Sequence, residues 1–156
     1  MNKRYKKYSL ILIPLLGFIT ALCSSTYLQT PKDSWERNKQ KWVSNKITNY
    51  RYTLSVDCFC GEAGLSPVLI EVRNGIKKSV TTLSTSELVD SYFFTRYETV
   101  SDLFDLIERN LNKTHDTFNC EYDSNLGFPK KIEIDHHRNT ADDEFLLEVT
   151  NFEIIK

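Results

Sequence analysis

Tyr50-Arg51-Tyr52-Thr53-Leu54-Ser55-Val56-Asp57-Cys58 alternates apolar and polar side chains without a break. Successive side chains of a strand point to opposite faces, so this stretch predicts a strand with Tyr50, Tyr52, Leu54, Val56 and Cys58 buried and the residues between them toward water. A strand wet on one face belongs to an antiparallel sheet covered on the other. Downstream, 67–73 reads as a second strand, Asn74-Gly75 as a two-residue hairpin turn, and 76–82 as the returning strand. Upstream, Thr30-Pro31 and Asp33-Ser34-Trp35-Glu36 carry helix-start signals: a side-chain acceptor, a proline in the first turn and an acid. They predict a helix from 31 or 34 to 46 with Trp35, Trp42 and Val43 on its buried side.

The second half follows the same plan. Thr99-Val100-Ser101-Asp102 is another capping box, and Val100, Leu103, Phe104, Ile107 and Leu111 recur at helical spacing over 100–112. Strands are predicted over 118–122, 130–136 and 145–155. The expected fold is therefore α+β: a mostly antiparallel sheet of about six strands with two helices packed on one face, and a helix-then-three-strands plan used twice. Only 83–97 fits no element. Its Tyr92, Phe93, Phe94 and Tyr97 are candidates for a binding surface, against a plainer reading as a lid over the sheet.

The N-terminus has a different character. Lys3, Arg4, Lys6 and Lys7 precede an uncharged run from Tyr8 to Cys23, and small polar residues follow. That order is the order of an export signal, and Pro14 and Gly17 interrupt a run shorter than the ~18–20 residues that span a bilayer comfortably. Residues 1–25 are expected to be a signal peptide or a membrane or lipid anchor, 26–33 a linker, and 34–156 one globular domain. Cys23 is the candidate lipidation site, although Leu22 stands where such a site wants a small residue. The whole chain has 20 basic and 21 acidic residues; the four basic residues before Ser24 leave 16 against 21 beyond it, or −5. An acidic domain has no footprint for nucleic acid, so the partner expected is an unidentified protein or small ligand of the cell envelope.

Trp35, Tyr50-Arg51-Tyr52, Cys58-Phe59-Cys60, Val72-Arg73-Asn74-Gly75, Gly127-Phe128-Pro129, Ile134-Asp135 and Asp142-Asp143-Glu144 occur in this order. Together they resemble a family of bacterial exported domains of unknown function, many of them lipoproteins, from about Trp35 to Val149. Phe128 stands where that family more usually has tyrosine. The resemblance carries no activity and assigns no catalytic residue.

Cys58, Cys60 and Cys120 are the disulfide candidates, since an oxidising compartment does not leave all three reduced. Residues two apart in a strand have Cα atoms ~6.6 Å apart, at the edge of what a disulfide allows, and a kink at Gly61 would close the gap. Pairing one of them with Cys120 is the alternative; the resemblance favours Cys58 with Cys60. A redox role for that pair is opposed by Asp57 and Glu62, which raise a thiol pKa. A metal site of Cys58 and Cys60 with His136 or His137 lacks a recognised ligand spacing. Asp135, Asp142, Asp143 and Glu144 read as a solvated acidic turn without the spacing of a calcium loop. His115 reads as a lone cation near a helix end. No catalytic motif occurs, and no metal or cofactor is expected. The sequence thus points to a non-enzymatic exported binding or accessory module; the alternative is a thiol-redox or metal-binding protein centred on Cys58 and Cys60.

Overall fold

Thr30 opens the first helix by closing a reciprocal pair of hydrogen bonds. Its hydroxyl accepts from the Asp33 N–H at 3.1 Å, and the Asp33 carboxylate accepts from the Thr30 N–H at 3.1 Å. The exchange satisfies two of the donors a helix start leaves over. It also holds the Asp33 carboxyl below the usual range, chiefly through the Thr30 side chain. Helix α1 runs Pro31–Asn45 and stops at Lys46, whose φ of 53° is left-handed. In the computed structural model, which describes residues 30–58, 66–89, 94–137, 139–140 and 143–156, it is followed by β1 (Tyr50–Cys58), β2 (Val68–Arg73) and β3 (Ile76–Thr82). A single 3-10 turn (Phe94–Arg96) then leads to α2 (Val100–Asn110), β4 (Thr117–Tyr122), β5 (Pro129–Asp135) and β6 (Glu144–Ile154).

The six strands form one sheet in the order β3-β2-β1-β6-β5-β4, with every neighbouring pair antiparallel. The α+β expectation holds at that level. Two hairpin-connected meanders meet at the central β1–β6 pair, where Leu54 lies opposite Val149 and Val56 opposite Leu147. The apolar face of β1 is realised, with Tyr50, Tyr52, Leu54 and Val56 core residues joined by Ile70, Val72, Ile132 and Leu147, while Thr53, expected toward water, is buried and Cys58 is only partly so.

Three aromatic side chains keep a polar end bonded while burying the ring, as buried tyrosine and tryptophan must. The Tyr50 hydroxyl accepts from the Val100 N–H at 3.0 Å, at the start of α2. The Tyr52 hydroxyl donates to the Tyr97 carbonyl at 3.1 Å, and the Trp35 indole donates to the Phe104 carbonyl at 3.0 Å.

Val43 departs from expectation, being 65% exposed, whereas Trp42 is 6% exposed. One residue is about 100° of helix rotation, so with Trp42 against the sheet its neighbour turns outward. Trp42 packs edge-on against Tyr50, Phe128 and Phe152, with centroids 5.4, 6.3 and 5.9 Å away. The unassigned segment is tied to the edge strand: Val89 N–H donates to the Val80 carbonyl at 3.0 Å, and Thr81 bridges Leu88.

Candidate functional site

Helical spacing puts Leu106, Arg109 and Asn110 on one stripe at the C-terminal end of α2, with Lys113 just beyond it. Alternation puts Ile134 and His136 on the same face of β5 and its continuation, and Phe145 of β6 pairs with Ile134. The 3-10 turn delivers Arg96 and Tyr97 to the same place. Between these elements lies a cleft of about 250 Å³. Its floor is Leu106, Ile134 and Phe145; its rim holds Arg96, Arg109, Lys113 and His136. A neighbouring cleft of about 430 Å³ shares Arg96 and Arg109 and extends to Thr95 and Asp102.

The electrostatics of this place are one-sided. Among the described residues, Arg96, Arg109 and Lys113 form no ion pair. The nearest acid in the clefts, Asp102, is engaged at the start of α2, accepting from the Thr99 N–H at 2.8 Å. Burial raises the Tyr97 hydroxyl pKa, and the two arginines pull it the other way. The Tyr97 ring leans on Phe145 at 5.6 Å.

Beside the cleft two histidines meet. The ring nitrogens His115 Nδ1 and His136 Nδ1 are 3.0 Å apart, and His115 Nε2 lies 3.1 Å from the Asn110 carbonyl. That carbonyl can only accept, so His115 carries a proton on Nε2, and in the neutral ring the lone pair is then at Nδ1. Asn110 is itself buried and fixed, its amide donating to the Leu106 carbonyl at 2.8 Å. The His115 ring lies over Phe118, centroids 5.3 Å apart. Sequence reasoning treated His115 as solitary; the two histidines are joined only by the fold, which seats the residues before β4 beside the end of β5.

The other sequence candidates are dispersed. Cys120 is a free thiol packed against the core, and burial pushes its pKa up to about 12. It sits on β4, three strands from β1, or about 14 Å across the sheet, so a bond from Cys58 to Cys120 is ruled out by distance and by the free thiol. Cys58 ends β1 against the core and is not without a partner. Phe94 is corrected from surface to core, at 2% exposed, because the 3-10 turn points it inward. Tyr97 does line a cleft. Cys23, Cys60, Tyr92, Phe93 and Asp142 lie outside the described residues. Asp135 and Asp143 each keep one buried carboxylate oxygen without a hydrogen-bond partner among the described residues, so these two acids are less solvated than the composition of the hairpin suggests. Among the described residues no group of three or more histidine, cysteine or acidic side chains gathers as a metal site, and His136 and His137 follow β5, two strands from the β1 that Cys58 ends.

An α+β domain with a basic, apolar-floored cleft at one end of its sheet is thus the class this chain defines. The chain belongs to the family of unknown function DUF6174, whose model matches residues 34–154. No curated protein and no solved structure matches it.

Proposed function

We propose that this domain is a non-enzymatic binding module of the cell envelope, and that the cleft between α2 and the β5–β6 pair takes a small organic anion. The carrying observation is the convergence of Arg96, Arg109 and Lys113 around an apolar floor, with no ion pair to any described acid, in a chain whose net charge is −1. Some cations elsewhere meet acids, as Lys39 meets Glu108, Lys77 meets Glu98 and Arg51 meets Glu153, and others such as Lys46, Lys78 and Lys130 meet no described acid; what sets Arg96, Arg109 and Lys113 apart is that they converge over an apolar floor. Cations left together over apolar lining favour an anion with a hydrophobic body, since a pocket binds through apolar contact and orients through few polar groups. The guanidinium groups suit a carboxylate or phosphate better than lysine alone does.

Thermal melts with benzoate, citrate and phenyl phosphate test this reading. At least one anion is expected to raise the melting temperature in proportion to its concentration, less so at high salt. Arg96→Gln with Arg109→Gln is expected to weaken that response by about tenfold or more, because charge-assisted hydrogen bonds are lost. An unchanged response in the double variant, or none in the parent chain, overturns the reading.

Export belongs to the same proposal, with residues 1–25 as signal or anchor, Cys23 as the lipidation point if the anchor is a lipid, and the linker expected over 26–33 ending before Thr30, because Pro31–Asp33 belong to α1. The basic head and uncharged run support it. A staple between Cys58 and Cys60 is part of it too: Cys58 has a partner, Cys120 is out of its reach, and Cys60 is the remaining thiol of the domain. The intact mass of the native protein, alkylated before reduction, reads the N-terminus and the cysteine state together. Labelling of both Cys58 and Cys60 would end the staple reading.

A further inference from the structure

We infer that the His115–His136 pair is a binding site for a late divalent transition metal ion, copper(II) foremost, with two imidazole ligands and the remaining positions open to water or to an anion in the cleft. The inference stands on the geometry of two rings and does not depend on the anion reading.

The two Nδ1 atoms are 3.0 Å apart and the ring centroids 4.7 Å apart. Two imidazoles joined by a straight N–H···N bond of that length would hold their centroids about 5.3 Å apart. The shorter centroid distance means that the rings are inclined to the line between their nitrogens. For ring axes that converge symmetrically, the two distances place the crossing point about 2.0 Å from each nitrogen, at an included angle of about 95°. That length is a metal–imidazole bond, and the angle is the right angle of square-planar or octahedral coordination. A tetrahedral zinc ion would hold the two nitrogens about 3.3 Å apart. Imidazole nitrogen in a tetragonal arrangement is copper(II) or nickel(II) chemistry, and copper(II) binds such sites most strongly of the divalent first-row ions.

The surroundings are already arranged for it. Metal-binding histidines usually donate their other N–H to a fixed acceptor, which sets the tautomer and orients the ring. His115 does so to the Asn110 carbonyl, and Phe118 holds the face of its ring. His136 needs only its neutral tautomer with the proton on Nε2, which frees Nδ1 for the ion. No third described side chain of ligating type joins the pair, so the site is open on the cleft side that His136 lines.

The test is titration of the full chain with copper(II) sulfate, followed by electron paramagnetic resonance and by thermal melting. The expected result is one copper ion per chain, with hyperfine splitting from two nitrogens and a raised melting temperature. His115→Phe keeps the ring stacked on Phe118, and His136→Ala removes a partly exposed side chain at a strand end; each is expected to weaken binding by about tenfold or more and to abolish the two-nitrogen signal. His137→Ala, next in sequence, is expected to leave both unchanged. A two-nitrogen spectrum that survives either substitution, or a parent spectrum with fewer than two nitrogens, overturns the inference. Arg96→Gln with Arg109→Gln leaves the copper signal in place and removes only the anion response, so the two readings fail separately.

Discussion

Gly127 shows how one position ties a turn to a helix. Its φ is +84°, and a Cβ built there would stand 2.6 Å from the Asn38 carbonyl oxygen and 3.0 Å from Lys41 Cβ. The sequence presents Gly127-Phe128-Pro129 as turn geometry, which it is: the Asp123 carboxylate accepts from Leu126 N–H at 2.7 Å and the Asp123 carbonyl from Gly127 N–H at 2.9 Å. It does not reveal that α1 rests on the glycine, because that contact joins residues far apart in the chain. Gly75 has a similar φ of +75° but open space around it. Gly75→Ala is therefore expected to cost the left-handed conformation alone, about 1 kcal/mol, and Gly127→Ala more than about 2 kcal/mol, because the obstacle is helix backbone. Urea unfolding of the two variants measures the difference. Equal losses would mean that α1 yields without cost.

Among elements, α1 divides sharply into a face that packs and a face that does not. Trp42 is enclosed by Tyr50, Phe128 and Phe152, and Phe128 stacks on Phe152 at 4.2 Å. Trp42→Ala removes the centre of that cluster and is expected to cost about 3–5 kcal/mol, against less than about 0.5 kcal/mol for Val43→Ala. Denaturation midpoints decide it; a large loss at Val43 would put the wrong face of the helix on the sheet. The helix itself was legible, since its cap, proline and strand-side tryptophans are local signals. The identity of its buried face was not, because an apolar side chain at the edge of a stripe fits either rotation. The same limit explains the described part of 83–97, which is tied to β3 by contacts the local sequence does not announce: Thr82 N–H donates to the Glu87 carbonyl at 3.0 Å. It also explains the site. Arg109 reads as an ordinary exposed position of a helix, Lys113 as a residue just past it, and His115 as a lone cation after its end. Only the strand order, which seats β4 beside β5 and the 3-10 turn over Phe145, makes a cleft and a histidine pair of them.

At the scale of the molecule, the core is unusual in holding groups that ionise at alkaline pH. Burial raises Tyr50 from an ordinary 10.0 to about 12, raises Tyr52 well above 10.0, and raises Cys120 from 9.0 to about 12. Each is an acid whose neutral form the fold prefers. In the unfolded chain each loses its proton near its ordinary value, so above that pH the unfolded state binds fewer protons than the folded one. Stability must then fall as pH rises, by up to about 1.4 kcal/mol per pH unit for each such group, until the folded values are reached. Well below pH 9 all are neutral in both states and their contribution is constant. Thermal melts from pH 7 to 11 are expected to be flat in this respect up to about pH 9 and to decline steeply beyond it. Cys120→Ala tests the assignment within the decline: it removes the group that starts to act first, so the onset is expected to move from near 9 toward 10, where the tyrosines take over. An onset unmoved in that variant would mean that the thiol is not held neutral by the fold. A flat profile to pH 11 would mean that Tyr50 and Tyr52, whose hydroxyls fasten β1 to Val100 and to Tyr97, are not the sealed joints between sheet and helix that their hydrogen bonds describe.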